Sequence, residues 1–232
     1  MEQVPGQVTF RTDDIWKHSY DKHNYRRIKL LNGLRVLLVT KPKAVKSAAA
    51  MSIKVGSLMD PISHQGLAHL CEHMVNAGVS QKYTVEGESH DFILSNGGYC
   101  NAFTLPDTTT YQFEISPDCY KEALDRFAQM FVAPVFTESL VEREVKAVDS
   151  EFQMDVKDSS CRLQALRNAL SMERHDYGRM TLCVIDTKLL DEMEKMLRSL
   201  DFHKIPNNYI GHLKRDGVQE WIQKEIAASA EV

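Results

Sequence analysis

Apolar positions alternate with polar ones in short runs near the amino end and recur at helical spacing further on, so the two periods divide the chain into elements. Ile28-Lys29-Leu30 and Val36-Leu37-Leu38-Val39 flank Asn32-Gly33, which predicts a β-hairpin over 25–39 with Asn-Gly as its tight turn. A further strand is predicted over 48–55. Leu67, Leu70, Cys71 and Met74 then surround a helix over 66–77, which they would largely bury. A second helix over 86–95 closes on Asn96-Gly97-Gly98. Strands at 102–104 and 109–115 meet at a Pro106-Asp107 turn. Ser116 caps a helix that takes Pro117 at its first position and runs through Phe131, with Phe127, Met130 and Phe131 at core spacing. A long helix follows from Thr137 to at least Leu170. Strands joined as hairpins, with helices between them, predict an α+β fold: a mostly antiparallel sheet packed against helices.

Composition narrows the class. A chain of 232 residues with 43% hydrophobic positions holds one large or two small domains with a real core, not a disordered tail. Its net charge of −4, spread over interspersed acids and bases, gives no electrostatic footprint for nucleic acid. The apolar runs are too short to span a bilayer, so no membrane partner is expected. Glu2, Arg11, Asp13 and Asp14 stand where a secretory signal would need an apolar stretch, and the expected location is the cytosol. Five cysteines, an odd number without C-x-x-C spacing, predict reduced thiols there.

The candidate chemistry lies on the buried helix. His69-Leu70-Cys71-Glu72-His73 is an H-x-x-E-H pattern. At about 100° per residue the two histidines stand about 40° apart and Glu72 about 60° behind His69, so all three face one side. Two neutral imidazoles one turn apart can both reach Zn²⁺ at about 2.0–2.1 Å, and a hydrolytic site adds one more protein ligand and leaves a place for water. Glu72 is then free to act as general base for that water. The plain alternative is a helix with two incidental histidines. Downstream, Glu144 and Glu151 are seven apart, within about 20° of one helical face. One of the pair can coordinate while the other orients a ligand, or both are solvated glutamates on an amphipathic helix. Cys71 points away from the histidine face and packs. Cys100 is either a reactive thiol near the site or a buried inert one. His64, His90 and His212 have no ligand-spaced partner and read as ordinary surface or core residues.

Taken together, these segments resemble the inverted-zincin peptidases of the pitrilysin and insulin-degrading enzyme type. The carrying residues are Tyr25-Arg26, Leu30 through Leu38, Gly56 through Pro61, Gly66 through His73, Cys100 through Thr104, Ala123 through Gln129, Pro134-Val135-Phe136 and Arg143 through Glu151, in nearly continuous order from Tyr25 to Met172. The resemblance implies that His69, His73 and Glu151 ligate one Zn²⁺ per chain, with Glu72 as general base and Glu144 supporting a ligand. It further implies that Asn101, Ala102 and Phe103 form a strand edge along which substrate backbone pairs.

Beyond Met172 the resemblance thins. Residues 179–185 resemble the last strand of the family's first domain, 188–200 the helix after it, and 208–213 with 217–221 two pieces of a second domain; 227–232 would fray. The expected organisation is an amino-terminal extension at 1–24, a catalytic-type domain at 25–200 and a shortened remnant of a second domain at 201–232. Family members enclose substrate between two homologous halves, and oxyanion stabilisation of the kind the other half would give is worth about 3–4 kcal/mol. Three readings follow. The first is a zinc metalloendopeptidase that cleaves peptides, weakly alone or with a homologous half or full-length relative as partner. The second is an inactive pseudo-peptidase that binds peptides or a partner, and the third a domain whose metal serves folding only.

Overall fold

The computed structural model describes residues 8–61 and 64–171, which fall into two compact units, 8–47 and 48–171. In the first unit β1 (Val8–Thr12), β2 (Asn24–Leu30) and β3 (Arg35–Thr40) form an antiparallel sheet in that order. The predicted hairpin is present, with Ile28 opposite Val36 and Lys29 opposite Arg35. In its turn the Leu30 N–H donates to the Leu34 carbonyl, and Asn32 Oδ1 accepts from the Leu34 N–H at 3.0 Å. Arg26, Ile28 and Leu30 are buried while Arg27 and Lys29 are exposed, the period of two that a sheet with one covered face requires. Buried Arg26 is neutralised by Asp13, whose carboxylate oxygens accept from its Nε and Nη2 at 2.7 and 2.8 Å. β1 lies inside the stretch expected as an extension, yet it pairs with β2 and belongs to the sheet.

The second unit, entered along β4 (Ser47–Ile53), has a 3₁₀ turn at Ser57–Met59. It continues through α1 (Leu67–Asn76), α2 (Glu88–Ser95), β5 (Tyr99–Thr104) and β6 (Thr109–Ile115) to α3 (Tyr120–Val132), α4 (Glu138–Asp155) and α5 (Ser159–Ala169). Its sheet runs β4-β6-β5, so among the described residues β5 is an edge strand, paired on one side with antiparallel β6 from Tyr99–Glu114 to Thr104–Thr109. Leu67, Leu70 and Met74 of α1 interlock with Leu140, Val141 and Val148 of α4. Burial of such side chains stabilises by about 1.5–3 kcal/mol each, which makes this seam the main bond between the two helices. Tyr111, Phe113, Phe127 and Phe131 meet edge-on or tilted at ring separations near 5.1 Å, and Phe127, Met130 and Phe131 are buried as their spacing predicts.

Two expectations are corrected. The helix expected as one piece from Thr137 to Leu170 is two, because Asp158 turns its side chain onto the N–H groups of Ser160 and Cys161 at 2.8 and 3.0 Å and starts α5 afresh. Ser116 is not a side-chain cap: Pro117–Cys119 forms a separate 3₁₀ turn, and the Ser116 hydroxyl donates instead to the Asn96 carbonyl at 2.9 Å. The strand, helix and second-domain pieces expected after Met172, together with His212, Cys183 and the terminal 227–232, lie outside the described residues, as do the boundary at 200 and the remnant at 201–232.

Candidate metal centre

α1 begins without a capping side chain of its own, since its N-cap is Gly66, at φ 89°. Only glycine takes that left-handed conformation at low cost. Asp60, six residues upstream and almost fully buried, supplies the cap: its two carboxylate oxygens accept from the N–H groups of Gly66 and Ala68 at 2.7 and 2.9 Å. Burial pushes the Asp60 pKa up, and those backbone donors partly offset it. The preceding 3₁₀ turn is tied to the β5–β6 turn, with the Ser57 and Leu58 N–H groups donating to the Leu105 and Pro106 carbonyls at 3.2 and 2.9 Å. A Cβ on Gly56 would stand 2.1 Å from the Leu105 oxygen, so only glycine allows this approach. The start of α1 and the end of β5 thus share one anchor.

From that fixed start, α1 carries His69 and His73 toward α4. His69 Nε2 and His73 Nε2 are 3.2 Å apart, and Glu151 Oε2 lies 3.5 and 3.6 Å from them. Tetrahedral ligands at about 2.0–2.2 Å from a zinc ion stand about 3.3–3.6 Å from one another. The three atoms are therefore spaced as a zinc ligand set, and among the described residues they form the one cluster of at least three such groups that could hold a metal. Burial lowers the His69 pKa, and His73 beside it acts in the same sense against Glu151, which favours the neutral imidazole that a metal needs. His73 Nδ1 faces Glu144 Oε2 at 3.2 Å. A carboxylate there is an acceptor only, so it selects the tautomer with Nδ1–H and turns the Nε2 lone pair toward the cluster. Of the two glutamates, Glu151 stands with the imidazole nitrogens and Glu144 behind His73.

Glu72 is buried on the same helix, and its Oε2 accepts from the Thr104 hydroxyl at 2.7 Å. Burial raises its pKa, while the Thr104 hydrogen bond and His73 pull it back. The result is a carboxylate more basic than an exposed one, with Oε1 left for a proton. Thr104 ends β5, the edge strand, and so joins that strand to the site. Of the residues expected along this edge, Asn101 and Phe103 are exposed and Ala102 is buried on the face toward α1. Cys71 is buried, and its thiol is pushed up to about 12, which makes it an inert packing group. The Cys100 thiol is also raised by burial, which favours the inert reading.

The described residues thus place a two-histidine, one-glutamate cluster, with a buried carboxylate beside it, on an α+β domain. Residues 35–184 match the family described as Insulinase (Peptidase family M16), and the chain belongs to that family. It is 42% identical over 165 residues to human insulin-degrading enzyme, covering 71% of this chain and 16% of that enzyme. It is 43% identical over 198 residues to a Caenorhabditis elegans protein provisionally named a zinc protease, covering 84% of this chain and 23% of that one. The chain thus spans less than a quarter of the length of either relative. Among solved structures pitrilysin matches with a TM-score of 0.76 at 30% identity over 82% of this chain and 21% of pitrilysin. The expected α+β fold, a mostly antiparallel sheet packed against helices as in pitrilysin, is the class found, with the strands of the described residues in two antiparallel sheets.

Several supporting residues had no signal in the sequence. Thr104 and Arg143 stand inside the segments that carry the resemblance, but neither periodicity nor charge marks their partners. Asp60 caps a helix from six positions away, whereas cap patterns are read at the position next to the helix.

Proposed function

We propose that this chain is a zinc metalloendopeptidase domain of the insulysin and pitrilysin type that hydrolyses peptide bonds. The observation that carries the reading is the convergence of His69 Nε2, His73 Nε2 and Glu151 Oε2 within 3.2–3.6 Å, with Glu72 on the same helix. Zinc held by these three residues would polarise the scissile carbonyl and acidify water. The Glu72 carboxylate takes the proton of the attacking water on Oε1 and returns it to the departing amine, and the raised pKa of Glu72 suits both halves of that exchange. Thr104 fixes Oε2 so that one oxygen alone does this work. Glu144 orients His73. The outer edge of β5, with Asn101, Ala102 and Phe103, accepts the substrate backbone as an added strand, which leads the peptide toward Thr104 and Glu72.

We further propose that the domain works together with a homologous half or a full-length relative, the partner that the family resemblance implies. Four free thiols among the described residues support a reducing compartment, the cytosol. No helix of the described residues is long and apolar enough to cross a membrane. The inactive peptide-binding reading draws on the same strand, at the edge of the sheet among the described residues, but it gives no reason for a buried basic carboxylate beside the ligand set.

The test is zinc content per purified, chelator-washed chain, beside Glu151→Gln. About one zinc in the native chain, a clear loss in Glu151→Gln, and peptide hydrolysis that vanishes in Glu72→Gln with zinc retained is the expected outcome. A folded native chain without zinc sinks the reading; zinc without hydrolysis moves it to the binding module.

A further inference from the structure

Arg143 stands one position before Glu144 on α4 and bridges two carboxylates. Its Nη1 donates to Glu86 Oε2 at 2.8 Å, and its Nη2 lies 2.5 Å from Glu86 Oε1. Its Nε and the same Nη2 reach Glu144 Oε1 at 3.3 and 3.1 Å. The other oxygen of Glu144 faces His73 Nδ1. Glu86 belongs to the segment between α1 and α2, and that segment is itself fastened to α3. The Tyr83 hydroxyl donates to buried Asp125 at 2.5 Å, Lys82 pairs with the same carboxylate, and the Arg126 guanidinium lies over the rings of Tyr83 and Phe92 at 4.3 and 4.6 Å. A connected path therefore runs from α3 through this segment to Arg143, Glu144 and His73.

We propose that Arg143 is a positioning residue for His73. Anchored by Glu86, it holds Oε1 of Glu144 so that Oε2 is aimed at His73 Nδ1, and through that bond it fixes the plane and tautomer of the ring. The proposal rests on reading the cluster as a zinc site. A cation near a dication also acts by charge alone, and in the opposite sense: removing it would tighten zinc. That effect is weak here because the Arg143 side chain is 48% exposed and screened by solvent. Loss of a group that orients a ligand costs about 10–100-fold in metal affinity. Orientation wins, so removing a positive charge should weaken the binding of a positive ion.

The experiment uses the full chain and measures zinc affinity by competition with a chelator, together with ¹⁵N NMR of the His73 ring in zinc-free protein. Arg143→Ala is expected to weaken zinc about tenfold and to mix the two His73 tautomers. Arg143→Lys, whose point charge cannot fork between two carboxylates, is expected to fall between Ala and native. Glu144→Ala should weaken zinc at least as much as Arg143→Ala. Zinc as tight or tighter in both Arg143 variants, with the native tautomer, overturns the proposal, and does so without touching the zinc reading if Glu144→Ala still weakens. If Arg143→Ala loses secondary structure, Arg143→Lys decides on the same two readouts. A native chain that takes no zinc overturns the site reading and this inference together.

Discussion

Glu72 and Asp60 are both buried carboxylates with raised pKa values, yet their replacement should act in opposite directions. For Glu72 burial is the leading cause, so the fold favours its protonated form. Such a group contributes stability at acid pH that is lost as pH rises through its folded pKa. Glu72→Gln cannot ionise and escapes that loss. The zinc-free variant is expected to melt higher than the native chain at pH 7, on the order of a few degrees, with the gap closing toward pH 4. Equal melting at both pH values would remove the argument. Hydrolysis in the zinc-loaded variant should fall by about 10²–10⁴-fold, the usual worth of a general base. Asp60 differs because two backbone donors depend on it. Asp60→Ala strands the N–H groups of Gly66 and Ala68 in a buried place and should cost about 1–3 kcal/mol in denaturant unfolding.

At the scale of elements, the site depends on where α4 starts and on the β5–β6 turn. Thr137 Oγ1 accepts from the Leu140 N–H at 3.2 Å, so Thr137→Ala should cost about 1 kcal/mol of chain stability, read as a lower denaturation midpoint. Gly56→Ala has no such mild outcome, because its Cβ meets backbone rather than a flexible side chain. Its expected result is a displaced β5–β6 turn and loss of hydrolysis greater than loss of zinc, since Thr104 moves and the ligands do not; equal losses would count against that division. These elements were unequally legible. The Asn32-Gly33 hairpin, α1 with its histidines, α2, β6 and α3 follow from periodicity and turn residues in short range. The two glutamates were legible as a pair on one face, and their separate roles came from the resemblance. The interruption at Asp158 was missed because hydrophobic spacing continues across it, and β1 because five residues without a turn signal carry little pattern. Asp60, Thr104 and Glu86 act across sequence distances that no local period records.

The whole molecule gives a way to separate a catalytic metal from a structural one. α1 is fastened to α4 by six buried apolar side chains and to the upstream turn through Asp60, and none of these contacts needs an ion. Chelation is therefore expected to abolish hydrolysis while the far-ultraviolet circular dichroism stays unchanged; collapse of the helical signal would favour a metal that serves folding. The same seam has a second consequence. His69 and His73 hang from one helix and Glu151 from the other, and Val148, fully inside the seam, lies on α4 between Glu144 and Glu151. A ligand set divided between two helices measures how they lie against each other. An ion at a hundred times its dissociation constant would hold them together with about 2.7 kcal/mol. By reciprocity, anything that loosens the seam weakens the hold on the ion. A core valine that touches neither substrate nor metal then becomes part of the metal's affinity, and zinc a gauge of packing.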